Sequence, residues 1–413
     1  MDQSILQEQL LACLAAELSE EACTRLAQLP DEAWERLFAL SLEQHVFPIL
    51  WHRLKQYEME QFIPLPLRDR MQKIAYATTV RSLRLYHELG IMLTRLQKQQ
   101  IPVIVLKGAH LASAVYSNQT LRVMSDIDLM FAQSDAPAVV EILAELGYQP
   151  VTPIVWQAYF ATYHHLPRFI KADSVASVEV HWTITIPNKS YTIVTDELWA
   201  RAVPVKLGGV DVLGLCPEDL LLHVCEHATY HHLFTQGLRF LCDIDAIVRR
   251  YGANLDWAQV KQCADAWGWI KGVHLALELT HRLLATPIPA AVLQQFQPAG
   301  FESHLSDTAL SQIFARQTEQ WAASRSFVKM GNATSLGEII KIVGQRLWPE
   351  PELVAQIYSI EPHSRKLYFY YFVRWKDLLV RFGGKTWGLW RSDASILTPT
   401  QQRSDLLQWL EQI

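Results

Sequence analysis

The sequence predicts an α+β protein, with a small mixed β-sheet core among helices and helical regions on both sides of it. Three observations predict this. Residues 1–100 carry helical apolar spacing, a β-branched run opens at Ile101, and helical periodicity returns from Pro217. The chain has 413 residues, 50% of them hydrophobic, enough for two or three compact units with cores of their own.

In the N-terminal region, Leu6, Leu10, Leu11 and Leu14 recur at helical spacing. Further helices are predicted over residues 31–40 and 42–57. A long one over 67–99 places Leu83, Tyr86, Leu89, Leu93 and Leu96 on one face, and Pro48, Pro64 and Pro66 punctuate these segments. Residues 101–186 are predicted as the α+β core. Its first strand is the run from Ile101 to Leu106, ended by Lys107-Gly108. A short helix over 109–116, a strand over 125–131 and an amphipathic helix over 136–146 follow, the last closed by Gly147. Two more strands are predicted over 168–171 and 175–184. Residues 187–350 read as a helical domain, with a helix start at Pro217-Glu218-Asp219 and breaks at Gly252, Pro287, Pro289 and Gly300. Residues 351–413 read as a basic, aromatic-rich helical region.

Lysine and arginine number 37 against 42 acids, a formal net charge of −5, so there is no global pull toward nucleic acid or an acidic membrane. Cys13, Cys23, Cys216, Cys225, Cys242 and Cys263 form no Cys-x-x-Cys pair, which argues against zinc-ribbon and thioredoxin readings and for thiols in a reducing compartment. The Met-Asp-Gln-Ser start has no basic region followed by an apolar run. No stretch approaches the roughly 20 apolar residues of a membrane span. A cytoplasmic location is predicted. Walker, kinase, Rossmann and Gly-x-Ser-x-Gly patterns are absent.

The chemistry is carried by Asp126-Ile127-Asp128-Leu129. Strand alternation turns both aspartates one way and the apolar pair toward a core. Like charges held side by side are costly, and a divalent cation between them offsets the cost. Mg²⁺, or Mn²⁺, takes carboxylate and phosphate oxygens, and paired ions serve in-line phosphoryl or nucleotidyl displacement. Glu179, in Ser177-Val178-Glu179-Val180-His181-Trp182, is the candidate third acid, with His181 on its face. Upstream, the Lys107-Gly108 turn before a helix offers backbone N–H groups to phosphate, with Lys107 and Arg122 as cationic contacts. Ser125 and His181 complete the candidate nucleotide-binding set.

Val105-Leu106-Lys107-Gly108, Tyr116, Arg122, Ser125-Asp126-Ile127-Asp128-Leu129 and Glu179-Val180-His181-Trp182 together resemble the uncharacterised nucleotidyltransferase family of the polymerase-β-like superfamily. The stretch 217–245, with Asp219, His223, His227, Arg239 and Asp243, shares the resemblance, which spans roughly residues 30–250. It implies that Gly108 holds the glycine position, Asp126 and Asp128 the metal pair, and Glu179 the third acid. It further implies transfer of a nucleoside monophosphate from an NTP to a hydroxyl, phosphate or amine acceptor on a small molecule, peptide or protein. Lys107-Gly108-Ala109 stands where many members of the superfamily have Gly-Ser or Gly-Gly. The alternative is a catalytically silent relative that binds a nucleotide or a partner.

Two other patterns compete. His223-Val224-Cys225-Glu226-His227 fits His-x-x-Glu-His, so a zinc peptidase at His223 and His227 is a further alternative, with His231 and His232 nearby and Glu278 or Glu302 as a generic third ligand. The segment 365–391 interleaves Arg365, Lys366, Arg374, Lys376, Arg381, Lys385 and Arg391 with Tyr368, Phe369, Trp375, Phe382, Trp387 and Trp390. It reads as an amphipathic helix packing its aromatics inward, ahead of a nucleic-acid, membrane or partner surface.

Overall fold

The structure is a computed structural model that describes residues 3–186, 193–315, 344, 347, 348, 354, 366, 368–376 and 394–411. The chain divides into two compact units, residues 1–151 with 155–301, and residues 152–154 with 302–413. The first carries the sheet.

Its N-terminal part is helical: α1 (Gln3–Leu14), α2 (Glu20–Ala27), α3 (Asp31–Glu43), α4 (Phe47–Gln56) and α5 (Leu65–Lys98). The sequence reading passed over α2, although Ser19 caps it by accepting the Ala22 N–H at 3.2 Å and Glu20 and Glu21 face the dipole of its first turn. In α5, Leu85, Leu89, Met92, Leu93 and Leu96 are buried at helical spacing. Each such side chain contributes about 1.5–3 kcal/mol. Leu83 is turned to solvent, and Leu85 takes the place predicted for it.

Among the described residues one seven-stranded mixed sheet runs in the order β3-β4-β5-β2-β1-β7-β6. Its strands are β1 (Ile104–Val105), β2 (Ile127–Met130), β3 (Gln149–Pro150), β4 (Phe169–Ile170), β5 (Ser177–His181), β6 (Val203–Leu207) and β7 (Val210–Gly214). This is the mixed α and β architecture the sequence predicts. In the centre, β1 is antiparallel to β2 and parallel to β7, and β2 is parallel to β5. Ile127, Leu129, Val178 and Val180 are buried as predicted; Ser177 and Glu179 of β5 alternate with them as half-buried residues, while β2 is buried at all four positions, Asp128 included. Between β1 and β2 come α6 (Lys107–His110) and a π turn, Leu111–Val115. Then α7 (Ala136–Glu145) ends as predicted at Gly147, which has φ +86°. The helix α8 (Trp156–Thr162) lies between β3 and β4.

The β6–β7 hairpin falls in a stretch that reads as helical from sequence. Its signals are short: alternating Val203, Val205 and Leu207, then Gly208-Gly209 at φ +57° and +83°. The turn seats on α5 by backbone contact, since a Cβ on Gly90 would lie 2.9 Å from the Gly208 carbonyl oxygen. The helix α9 (Thr195–Arg201) leads into the hairpin. After it come α10 (Pro217–Glu226), α11 (Arg239–Tyr251), α12 (Trp257–Ala266), α13 (Ile270–Leu284) and α14 (Ala290–Phe296). Asp256 caps α12 by accepting the N–H groups of Ala258 and Gln259. Helices α10, α11 and α13 pack together, α10 against α6 and α11 against the first π turn, which sets them over the Lys107-Gly108 turn.

In the second unit, α15 (Ser303–Phe314) buries Leu305, Ala309 and Ile313, and α16 (Ala394–Glu411) buries Leu406, Leu407 and Leu410. Of the basic aromatic segment, Lys366 and residues 368–376 are described. Tyr371 is buried and Tyr368, Phe369 and Phe372 are exposed. Arg365, Arg381, Phe382, Lys385, Trp387, Trp390 and Arg391 lie outside the described residues. Among the described residues no helix is long and apolar enough to cross a membrane. All six cysteines are free.

Candidate active site

Backbone pairing builds the centre of the site. In the parallel β2–β5 ladder, Asp128 and Glu179 are direct partners, two rows from Met130 and His181. Asp126 stands just ahead of β2, half-buried, and accepts the Ser125 hydroxyl at 3.1 Å. Lys107 closes the group from the end of β1. Its Nζ donates to Asp128 Oδ1 at 2.8 Å, and His181 Nε2 meets the same oxygen at 2.9 Å and Glu179 Oε2 at 3.4 Å. Lys107 has φ +45°, a left-handed backbone that a non-glycine residue adopts under strain, and such strain concentrates at functional sites. Tyr86 of α5 ties this turn down by donating to the Ala109 carbonyl at 2.9 Å.

Three carboxylates against one ammonium leave the site short of positive charge. Burial and the charges of Asp128 and Glu179 push the Asp126 carboxyl above the ordinary aspartate range. Burial acts the same way on Asp128, but Lys107 and His181 overcome it and hold this carboxylate well below that range. Burial opposes ionisation of Glu179 too, yet the hydrogen bond from His181 leads the effects that bring its pKa below the usual value. Lys107 is raised although burial opposes it, because Asp128, Glu179 and Asp126 attract its ammonium. Asp128, Glu179 and His181 present ligand atoms within 4.8 Å of one another. Hard carboxylate oxygens with excess negative charge suit Mg²⁺, so these residues fit the ion the sequence calls for.

A cavity of about 200 Å³ opens beside the acids, lined by Lys107, Gly108, Ser125, Asp126 and Asp128 on one wall and by His223, His227, His232 and Arg239 on the other. Glu179 and His181 do not line it and meet it through Asp128. Arg122 also lines it, but its Nε is held by Asp243 of α11, at 2.7 Å from Oδ1 and 2.9 Å from Oδ2, and Tyr116 donates to the same carboxylate at 2.8 Å. The structure thus brings together Lys107, Asp126, Asp128, Glu179 and His181, with Gly108 and Ser125 on the cavity wall, and binds Arg122 to a helix.

The structure adds two features to these. Arg239 has a buried Nε without a hydrogen-bond partner, and burial, with Arg122 nearby, pushes its pKa down to about 10. Such a cation favours an anion beside it. The second is a run of imidazoles. His164 lies 5.2 Å between ring centroids from His181 and 5.9 Å from His231, and His231 continues to His227 and His232. In the sequence, part of this run shows as the His-x-x-Glu-His pattern ending at His227 with His231 and His232 after it, and nothing there links it to His164 or His181. The peptidase alternative finds no third ligand here: Glu226 accepts the Thr185 hydroxyl at 2.7 Å, Glu278 pairs with Arg282, and no metal-capable group among the described residues includes Glu278 or Glu302.

The site thus joins a glycine turn, an Asp-x-Asp pair at the start of a strand and a third acid on its ladder neighbour. The chain belongs to the uncharacterised nucleotidyltransferase family, whose model matches residues 30–285. Among solved structures, the antibiotic-resistance factor ANT(2'')-Ia is similar at 13% identity and a TM-score of 0.33, over 49% of this chain and 98% of that one. No curated protein matches the chain.

Proposed function

We propose that this protein transfers a nucleoside monophosphate from an NTP to a hydroxyl, phosphate or amine acceptor in a Mg²⁺-dependent reaction. Family membership supports a nucleotidyl-transfer role. The observation that carries the finer reading is the ladder pairing of Glu179 with Asp128, which lines the cavity beside Lys107.

Asp126, Asp128 and Glu179 would hold the divalent ions. When bound, these ions neutralise phosphate charge and make the acceptor easier to deprotonate. The acceptor atom attacks the α-phosphorus, the α–β phosphoanhydride bond breaks, and pyrophosphate leaves. Lys107 keeps Asp128 ionised and offers its ammonium to the triphosphate, with the Gly108 turn and Ser125 alongside. Arg239, without a hydrogen-bond partner at Nε, is the further phosphate contact from the opposite wall. Glu179, kept ionised by His181, acts as a charged ligand and orients the acceptor. Arg122 positions the loop ahead of Asp126 through its hold on Asp243.

The test is pyrophosphate release by the full chain with each of the four NTPs, Mg²⁺ and pools of small-molecule, peptide and protein acceptors. Wild type releases pyrophosphate with at least one pairing, and Asp126→Asn or Glu179→Gln abolishes release while leaving the circular dichroism spectrum unchanged. Turnover that survives Asp126→Asn sinks the proposal. NTP binding without turnover across all pools favours the silent relative.

A further inference from the structure

The geometry points to a second metal site in the same cleft, a zinc-type ion held by His227, His231 and His232 with an open coordination position toward the cavity.

The ligand atoms of these three residues lie within 4.8 Å of one another. His227 Nε2 and His232 Nε2 are 3.2 Å apart. Two nitrogens on a tetrahedral zinc ion, each about 2.0–2.1 Å from the metal, are separated by about 3.3 Å, so these two already span one edge of such a site. The backbone explains how a sequence spacing of four and five converges. His227–His231 is a π turn, and its wider i→i+5 winding brings both i+4 and i+5 over residue i, where an α-helix would swing i+5 away. Leu233 and Phe234 then follow at φ +48° and +60°, two successive non-glycine residues in the left-handed region. Such turns and such strain concentrate at functional sites.

The rings are also pre-set. Phe240 of α11 stacks on His232 at 5.7 Å and meets His227 edge-on at 5.3 Å. Imidazole suits Zn²⁺ and other borderline transition ions, whereas Mg²⁺ takes oxygen ligands. The cleft is thereby sorted by chemistry, with carboxylates for a hard ion on one wall and imidazoles for a borderline ion on the other. Three protein ligands leave a zinc ion one position for water or an anionic oxygen. His227 and His232 line the cavity with Lys107 and Asp126, so that position faces whatever ligand the cleft holds. This site stands independently of nucleotidyl transfer, and it differs from a peptidase centre because His223 is not a ligand and no glutamate takes part.

The test uses the full chain, stripped with a chelator and titrated with cobalt(II) chloride, then zinc chloride, without nucleotide. Wild type develops the visible d–d bands of a nitrogen-ligated, low-coordinate cobalt ion, saturating at one equivalent, and zinc abolishes them. His232→Ala, on a half-buried side chain, weakens cobalt binding by about 100-fold or more. His227→Ala does the same where it folds by circular dichroism. The Asp126→Asn/Glu179→Gln double variant keeps the bands. Three results overturn the assignment: only weak octahedral bands from wild type, unchanged cobalt affinity in His232→Ala, or loss of the bands in the carboxylate double variant.

Discussion

Replacing Asp243 by alanine removes the carboxylate that holds Arg122. The Asp243 side chain is 0% exposed and that of Arg122 7%, so the guanidinium is left charged with little access to water. Two donors lose their acceptor at once, the single Arg122 Nε–H shared between both carboxylate oxygens and the Tyr116 hydroxyl. Breaking one side of a buried ion pair costs about 3–5 kcal/mol, most of it the uncompensated charge. Asp243 raises the Arg122 pKa although burial opposes it; without Asp243 that support is gone, but a guanidinium still holds its proton, so this arginine does not escape by losing it. Urea denaturation of the full chain, followed by tryptophan fluorescence, is expected to show that loss. Arg122→Met/Asp243→Leu removes both charges at similar volume and is expected to recover all but about 1 kcal/mol. A loss below about 1 kcal/mol in Asp243→Ala, or a double variant as weak as the single one, refutes the argument.

Divalent affinity should weaken as the pH falls toward the raised pKa of Asp126, because a protonated carboxyl does not ligate, and the weakening should start above the ordinary aspartate value of about 3.9. In the metal-free protein the sign reverses: stability from this group is full below its unfolded pKa and is lost as the pH rises through the folded one. Calorimetric Mg²⁺ titrations from about pH 7 down to about pH 4 check the first point, and an affinity that stays flat until the ordinary aspartate value is reached contradicts it. Lys107→Met is expected to tighten Mg²⁺ binding, since the ion pair with Asp128 competes with metal, and to weaken NTP binding by about 10-fold or more. Calorimetry with each ligand reads both, and equal shifts of one sign contradict the account. Gly209→Ala has no atom within 4 Å of the new Cβ and costs only left-handed strain, about 1–2 kcal/mol. In Gly208→Ala the new Cβ would lie 2.8 Å from the Gly90 Cα, which adds about 1–3 kcal/mol of overpacking. Equal thermal stability of these two variants would rule out the close seating of the hairpin on α5.

Much of the candidate site could be read from sequence because period-two alternation is local. Asp128 with Ile127 and Leu129, and Glu179 with Val178 and Val180, declared their faces before any pairing was known. Gly147 likewise marked the end of α7 through its own backbone geometry. Pairings between distant segments carried no such signal. Nothing near Arg122 indicates that its partner is Asp243, and nothing near His181 shows that residues 164–166 pair with the end of β5. There the Trp182 N–H donates to the His164 carbonyl at 3.1 Å and brings His164 against His181. The β6–β7 hairpin escaped because five-residue strands between helices leave few positions for a period to establish itself.

The parallel pairing of β2 with β5 separates precision from novelty. Asp128 and Glu179 are neighbours through backbone hydrogen bonds, so their spacing does not depend on the chain that runs between them. That chain leaves the end of β2, makes α7, β3, α8 and β4, and returns as β5. It can lengthen, shorten or exchange its surface without moving either acid, provided the two strands keep their register. Change that accumulates there leaves the spacing of the two acids untouched.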